Sequence, residues 1–328
     1  MVTFGLYRFS PDYLREAVHS RLAWSVKSLL DAWPREEWND YVDQDGRRLF
    51  DRLKSGCVDG CDIAVHHCLL CCLLADQFVE ARYALSEASR RSPRLHSEML
   101  AYGPEALKED AKWYERVFEW NDLDQKRLLL CSPHSSDVER CMGWMKQVID
   151  LLQQCSPKAY AEFRSFRPLW LMITFENQDA ENFMGYSSSL AWGTIGLNVN
   201  FERWSELLVQ VIHELAHQLL FALALEVPLA WNDPMERYQS PLRLDQRPMD
   251  GVLHACFVSA RTYQVLNQIQ SSSTFSLLDS VDQALIKRQS QFSADAVLAA
   301  LRTIDQYAHL SALGERMVTA SRQALLPR

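Results

Sequence analysis

His213-Glu214-Leu215-Ala216-His217 lies inside an apolar helical run from about Phe201 to Leu225, and its reading governs the rest of the chain. Each helical residue turns the side-chain direction by about 100°, so histidines four apart stand about 40° apart and can hold one metal ion from one face. Glu214 points beside such a metal. In zinc proteases that position is the general base acting on metal-bound water. Burying two imidazoles and a carboxylate without partners is costly, which favours a metal site over a structural histidine pair.

A metal needs a third protein ligand. His254 is the first candidate, in the early turns of a helix expected from Gly251 to about Gln270 with Asp250 as its cap. Glu236 is the second, at a spacing seen where glutamate completes a zinc site. His134 reads as a surface-loop residue, and His19, His66, His67, His96 and His309 as ordinary helical histidines. The stretch 228–249 holds four prolines and reads as a long irregular connection. Within it, Arg237, Arg243 and Arg247 lie between the metal helix and His254. A guanidinium fork suits a carboxylate, and a metal-bound dicarboxylic acid would need one. Local ion pairs such as Arg243 with Asp245, or Arg237 with Glu236, are the alternative.

Outward from the motif, 168–175 and 190–199 read as strands that pair into a small sheet, with a polar turn at 185–189 and Asn200 capping the metal helix. The edge of the second strand is a candidate for pairing with an extended peptide. Helices are expected at 11–32, 61–89, 105–120, 137–154 and about 280–326. The fold class is therefore α+β and mainly helical. A helical N-terminal region at 1–160, a candidate for peptide binding, precedes a HExxH metal-binding catalytic domain at 161–328.

The 328 residues carry a net charge of −8, with 48% hydrophobic and 23% charged side chains. That is a globular composition, and it argues against general nucleic-acid binding. No clean apolar span or signal peptide is read, so a cytoplasmic protein with no membrane partner and free thiols is expected. Cys57, Cys61, Cys68, Cys71 and Cys72 cluster with His66 and His67; a buried apolar helix is favoured there over a second metal site.

The run Glu236-Arg237-Tyr238-Gln239-Ser240-Pro241-Leu242-Arg243, then Asp245-Gln246-Arg247-Pro248 and Gly251-Val252-Leu253-His254, following the HExxH pentapeptide, resembles the HExxH-domain proteins of ribosomal peptide biosynthesis. It is similar to their α-ketoglutarate-dependent peptide β-hydroxylases over about residues 165–265. The resemblance implies a zincin-like core and a non-haem iron(II) oxygenase that uses α-ketoglutarate and O₂ on a ribosomally synthesised precursor peptide. It implies His213, His217 and His254 as iron ligands. Arg243 and Arg247 match its Ser-Pro-x-Arg and Asp-x-Arg-Pro arginines and are candidates for the distal carboxylate of α-ketoglutarate. Glu214, the base of a hydrolase, would then have another role. Two alternatives stay open: a cytosolic zinc metallopeptidase, and a non-catalytic peptide-binding scaffold.

Overall fold

The computed structural model describes residues 10–120, 130–175, 184–225, 227–242 and 245–326. The chain forms two compact units, neither continuous in sequence: one chiefly Cys141–Phe163 with Phe201–Arg328, the other Asp12–Arg140 with Arg164–Asn200.

The second of these carries α1 (Pro11–Asp31), α2 (Asp40–Lys54), α3 (Gly60–Leu74), α4 (Phe78–Arg90), α5 (Pro104–Leu107) and α6 (Ala111–Trp120). It also carries β1 (Glu98–Ala101), β2 (Leu130–Cys131), β3 (Leu169–Phe175), β4 (Gly185–Ser187) and β5 (Thr194–Asn198). The sheet order is β1-β3-β5-β4, with β2 on the end of β3. β1, β3 and β5 run parallel, and β4 is antiparallel to β5. Every residue of β5 is buried, and so are the first five of β3, Leu169 to Ile173. Continuous burial of this kind suits strands covered on both faces. Gly60 opens α3 directly against β5; a Cβ there would fall 2.1 Å from Thr194 Oγ1, so only glycine permits this approach.

A buried ionic cluster holds the start of α3. Arg91 donates to Asp62 at 2.6 Å, to Asp110 at 2.8 Å and to Asp59 at 3.0 Å. Arg52 reaches Asp62 at 2.7 Å, and Arg94 pairs with Asp110. The three guanidinium groups and three carboxylates balance. Burial and the charge of Asp59 push the Asp62 carboxyl up. At Asp110 burial acts upward too, but hydrogen bonds from Arg91 and Arg94 outweigh it and hold that carboxyl low. Asp59 and Asp62 also form the α3 capping box, so the cluster and the helix start are one device.

Two further helices, α7 (Ser135–Cys155) and α8 (Pro157–Phe166), lead toward the remaining elements: α9 (Trp204–Leu223), β6 (Tyr238–Gln239), β7 (Gln246–Arg247), α10 (Met249–Gln270), α11 (Ser280–Tyr307) and α12 (Ala312–Ala324). α10 packs against α9, α11 and α12. Its buried Arg261 donates to Glu162 at 2.6 Å. α9 has no capping side chain of its own at Arg203. Its first turn is instead held by Asp282 of α11, which accepts from Arg203 Nε at 2.8 Å, Trp204 Nε1 at 2.7 Å and Ser205 Oγ at 2.6 Å. Burial opposes ionisation of Asp282, but these donors outweigh it and bring its carboxyl down to about 2.

The mainly helical α+β class agrees with the sequence reading, and several local expectations are corrected. The turn read at 185–189 begins as strand β4, because its backbone pairs with Ile195–Leu197. β5 therefore has neighbours on both sides and offers no free edge to a peptide. Asn200 does not cap α9, and α10 begins after Pro248 with Asp250 in its first turn. The connection 228–249 contains the β6–β7 hairpin. Cys57 precedes the α3 cap and does not share the helical face of Cys61, Cys68 and Cys72. α9 also meets the length and apolarity of a membrane span, with mean hydropathy 1.2, though most of that window is buried inside the protein. All nine cysteines are free, and burial pushes the Cys68 thiol up to about 11, as fits packing rather than chemistry.

Arg91→Met should cost about 3–5 kcal/mol in denaturant unfolding, since it strands buried carboxylates; Arg91→Lys should recover little, because an ammonium cannot present the same fork. A second expectation concerns acid. Burial lowers His19 and His66 to about 4. Between the unfolded value near 6.5 and about 4 the unfolded chain binds protons that the native chain does not. Stability should thus fall as pH drops through that window, by at most about 1.4 kcal/mol per histidine and pH unit. His66→Gln should flatten the pH profile of Tm there; an unchanged profile would contradict the assignment.

Candidate metal centre

α9 and α10 bring three imidazoles together. The rings of His213 and His217 are 5.0 Å apart between centroids, and those of His217 and His254 are 6.3 Å apart. Phe221 stacks on His217 at 5.8 Å and lies 5.7 Å from His254, so the cluster has an aromatic wall. All three histidines are half-buried. Burial alone lowers His213 to about 4. Burial, then the neighbouring His213 and His254, holds His217 well below the usual imidazole range. Burial also lowers His254, against the opposing charge of Asp250. Neutral imidazole is the form that binds metal.

As the side chains stand, no three His, Cys, Asp or Glu groups among the described residues converge tightly enough to coordinate one ion. His254 Nε2 lies 3.7 Å from Asp250 Oδ2, one turn back on its own helix. The donor set nevertheless suits a metal. His217 Nδ1 is buried without a hydrogen-bond partner, and such an atom costs roughly 1–3 kcal/mol unless something satisfies it.

Glu214 is only 3% exposed and accepts from Gln210 Nε2 at 2.6 Å. Glu236 is exposed and accepts from the Tyr238 hydroxyl, and no contact joins it to the histidines among the described residues. Arg247, on β7, pairs with Asp245 at 2.7 Å. It rests on the first turn of α10, where a Cβ on Gly251 would lie 3.2 Å from Arg247 Cβ. Gly251 and His254 are three apart, so Arg247 sits near the helical face that bears His254. Arg243 lies outside the described residues.

Sequence reasoning missed Gln210, Phe221 and the contact of Asp250 with His254. The signal was present: Gln210–Glu214, His213–His217, His217–Phe221 and Asp250–His254 are all i,i+4 pairs, which meet on a helix surface. No family model and no curated protein matches this chain.

Metal analysis checks the cluster directly. The iron- or zinc-reconstituted protein should carry about one ion per chain, and alanine at His213, His217 or His254 should abolish it. Glu236→Ala should leave it intact; loss of metal in Glu236→Ala with retention in His254→Ala would exchange their roles.

Proposed function

We propose that this protein is an iron(II)- and α-ketoglutarate-dependent oxygenase that hydroxylates a side-chain β-carbon of a ribosomally synthesised precursor peptide in the cytoplasm. The observation that carries the reading is the gathering of neutral His213 and His217 of α9 with His254 of α10. The zincin-like view of this core rests on the HExxH helix itself. His213, His217 and His254 would hold the iron. Iron with α-ketoglutarate and O₂ supplies conversion of a C–H bond to C–OH, with ketoglutarate leaving as succinate and CO₂.

The remaining work falls to the chain's own residues. Arg247, with Arg243 as its companion, receives the distal carboxylate of the cosubstrate. Asp245 pairs with Arg247 until that carboxylate competes for it. Phe221 excludes water from one side of His217 and His254. Glu214 is tied to Gln210 and buried, which suits a residue that fixes the helix face better than one that must reach a water in an open cleft. The same observation weighs against the zinc metallopeptidase, whose base Glu214 would be.

Glu214→Gln separates the two readings. A peptidase should lose roughly 10²–10⁴-fold in cleavage; the oxygenase should keep most of its succinate formation and its gain of one oxygen on the peptide. Arg247→Ala should raise the ketoglutarate KM at least about tenfold, the loss expected for a charged hydrogen-bond pair. Equal activity of zinc-loaded protein without O₂ would overturn the proposal.

A further inference from the structure

A cavity of about 490 Å³ is lined wholly by residues of the sheet-bearing unit. That volume falls in the usual range for small-ligand sites, about 300–1,000 Å³. Its walls are aromatic and cationic. Trp192 packs edge-on against His19 at 6.1 Å and Phe166 at 5.6 Å, and Trp24 stands at the rim, 54% exposed. Three of the six described residues with positive φ line it: Gly56 (80°), Gly193 (89°) and Arg167 (48°). For a side chain as large as arginine that conformation is costly, and such strain gathers at ligand sites.

The charges around the cavity are unequally satisfied. Arg94 is taken up by Asp110, and Asp59 by Arg91. Arg15 pairs with Asp12 at 3.5 Å and donates to the Ser165 carbonyl at 2.9 Å. Among the described residues Lys54 and Arg167 have no carboxylate within ion-pair distance, and the only opposing free charge in the lining is Glu16. His19, which burial holds near 4, is neutral at pH 7 and adds a hydrogen-bonding group without charge. About one positive charge is left over, which matches a monoanion and disfavours a phosphate dianion. The guanidinium fork matches a carboxylate.

We propose that this cavity binds an aromatic monocarboxylate, its ring against the tryptophans and its carboxylate met by Lys54 and Arg167, either as a free acid or as an acidic side chain beside an aromatic one in a peptide. The site is independent of the histidine cluster and of the reaction assigned to it.

Calorimetry on the full chain tests it with phenylacetate and with N-acetyl-Phe-Glu-amide as the two sources. At least one should bind, and its neutral counterpart (phenylacetamide or N-acetyl-Phe-Gln-amide) should bind at least about tenfold more weakly. Which of the two binds identifies the source. Lys54→Met with Arg167→Gly should abolish the difference while leaving circular dichroism unchanged; glycine suits the positive φ. Should that variant fail to fold, Trp24→Ala at the exposed rim should weaken binding instead. Absence of binding by both acids, equal binding of the amides, tighter binding of phenyl phosphate, or full affinity in the folded double variant would each overturn the proposal.

Discussion

Asp282 fixes where α9 begins, and the position of the histidine cluster follows from it. The helix is apolar around most of its circumference and lacks a capping side chain at its own N-terminus. Its first turn is held from outside by a buried carboxylate that accepts from the side chains of Arg203, Trp204 and Ser205. A carboxylate at the positive end of a helix is favourable. Three donors on one buried group also fix the rotation of the first turn, not only its depth. His213 lies nine positions after Trp204, or about two and a half turns, so that rotation sets the direction in which both histidines face.

Along α9 the chemistry comes in i,i+4 steps. Gln210 holds Glu214, His213 meets His217, and His217 stacks on Phe221. α10 repeats the device with Asp250 and His254. Each polar group is oriented by a neighbour one turn away, which lets an apolar helix carry imidazoles whose neutral state is enforced by burial. A site built this way has rigid walls on two packed helices. Arg247 and the β6–β7 hairpin lie on the connection between them.

Much of this was legible in the sequence, for identifiable reasons. α1 and α7 show apolar residues at helical spacing, and β3 and β5 are short segments too brief for an amphipathic helix, β3 being largely apolar. His254 was found because it lies in the first turns of a helix after a proline-rich break. What escaped depends on long-range partners. β4 has three residues, and only its pairing with β5 makes it a strand. β1 pairs with β3 across some seventy residues, and Asp282 lies 77 residues beyond Ser205. Asn200 reads as a cap because it precedes an apolar run, yet the helix begins after Arg203 with no capping side chain, and its first turn is held by Asp282 of another helix. The division into two units, each assembled from separated segments, is likewise invisible to any local window.

On the proposed function, His213, His217 and His254 would hold an iron ion to which α-ketoglutarate binds. The most direct measurement is visible absorption of the anaerobic iron(II)-loaded protein on addition of α-ketoglutarate. A metal-to-ligand charge-transfer band should appear that saturates with ketoglutarate, disappears in His254→Ala and needs more ketoglutarate in Arg247→Ala. An iron-loaded protein that shows no such band at saturating ketoglutarate, or the same band in His254→Ala, would contradict it.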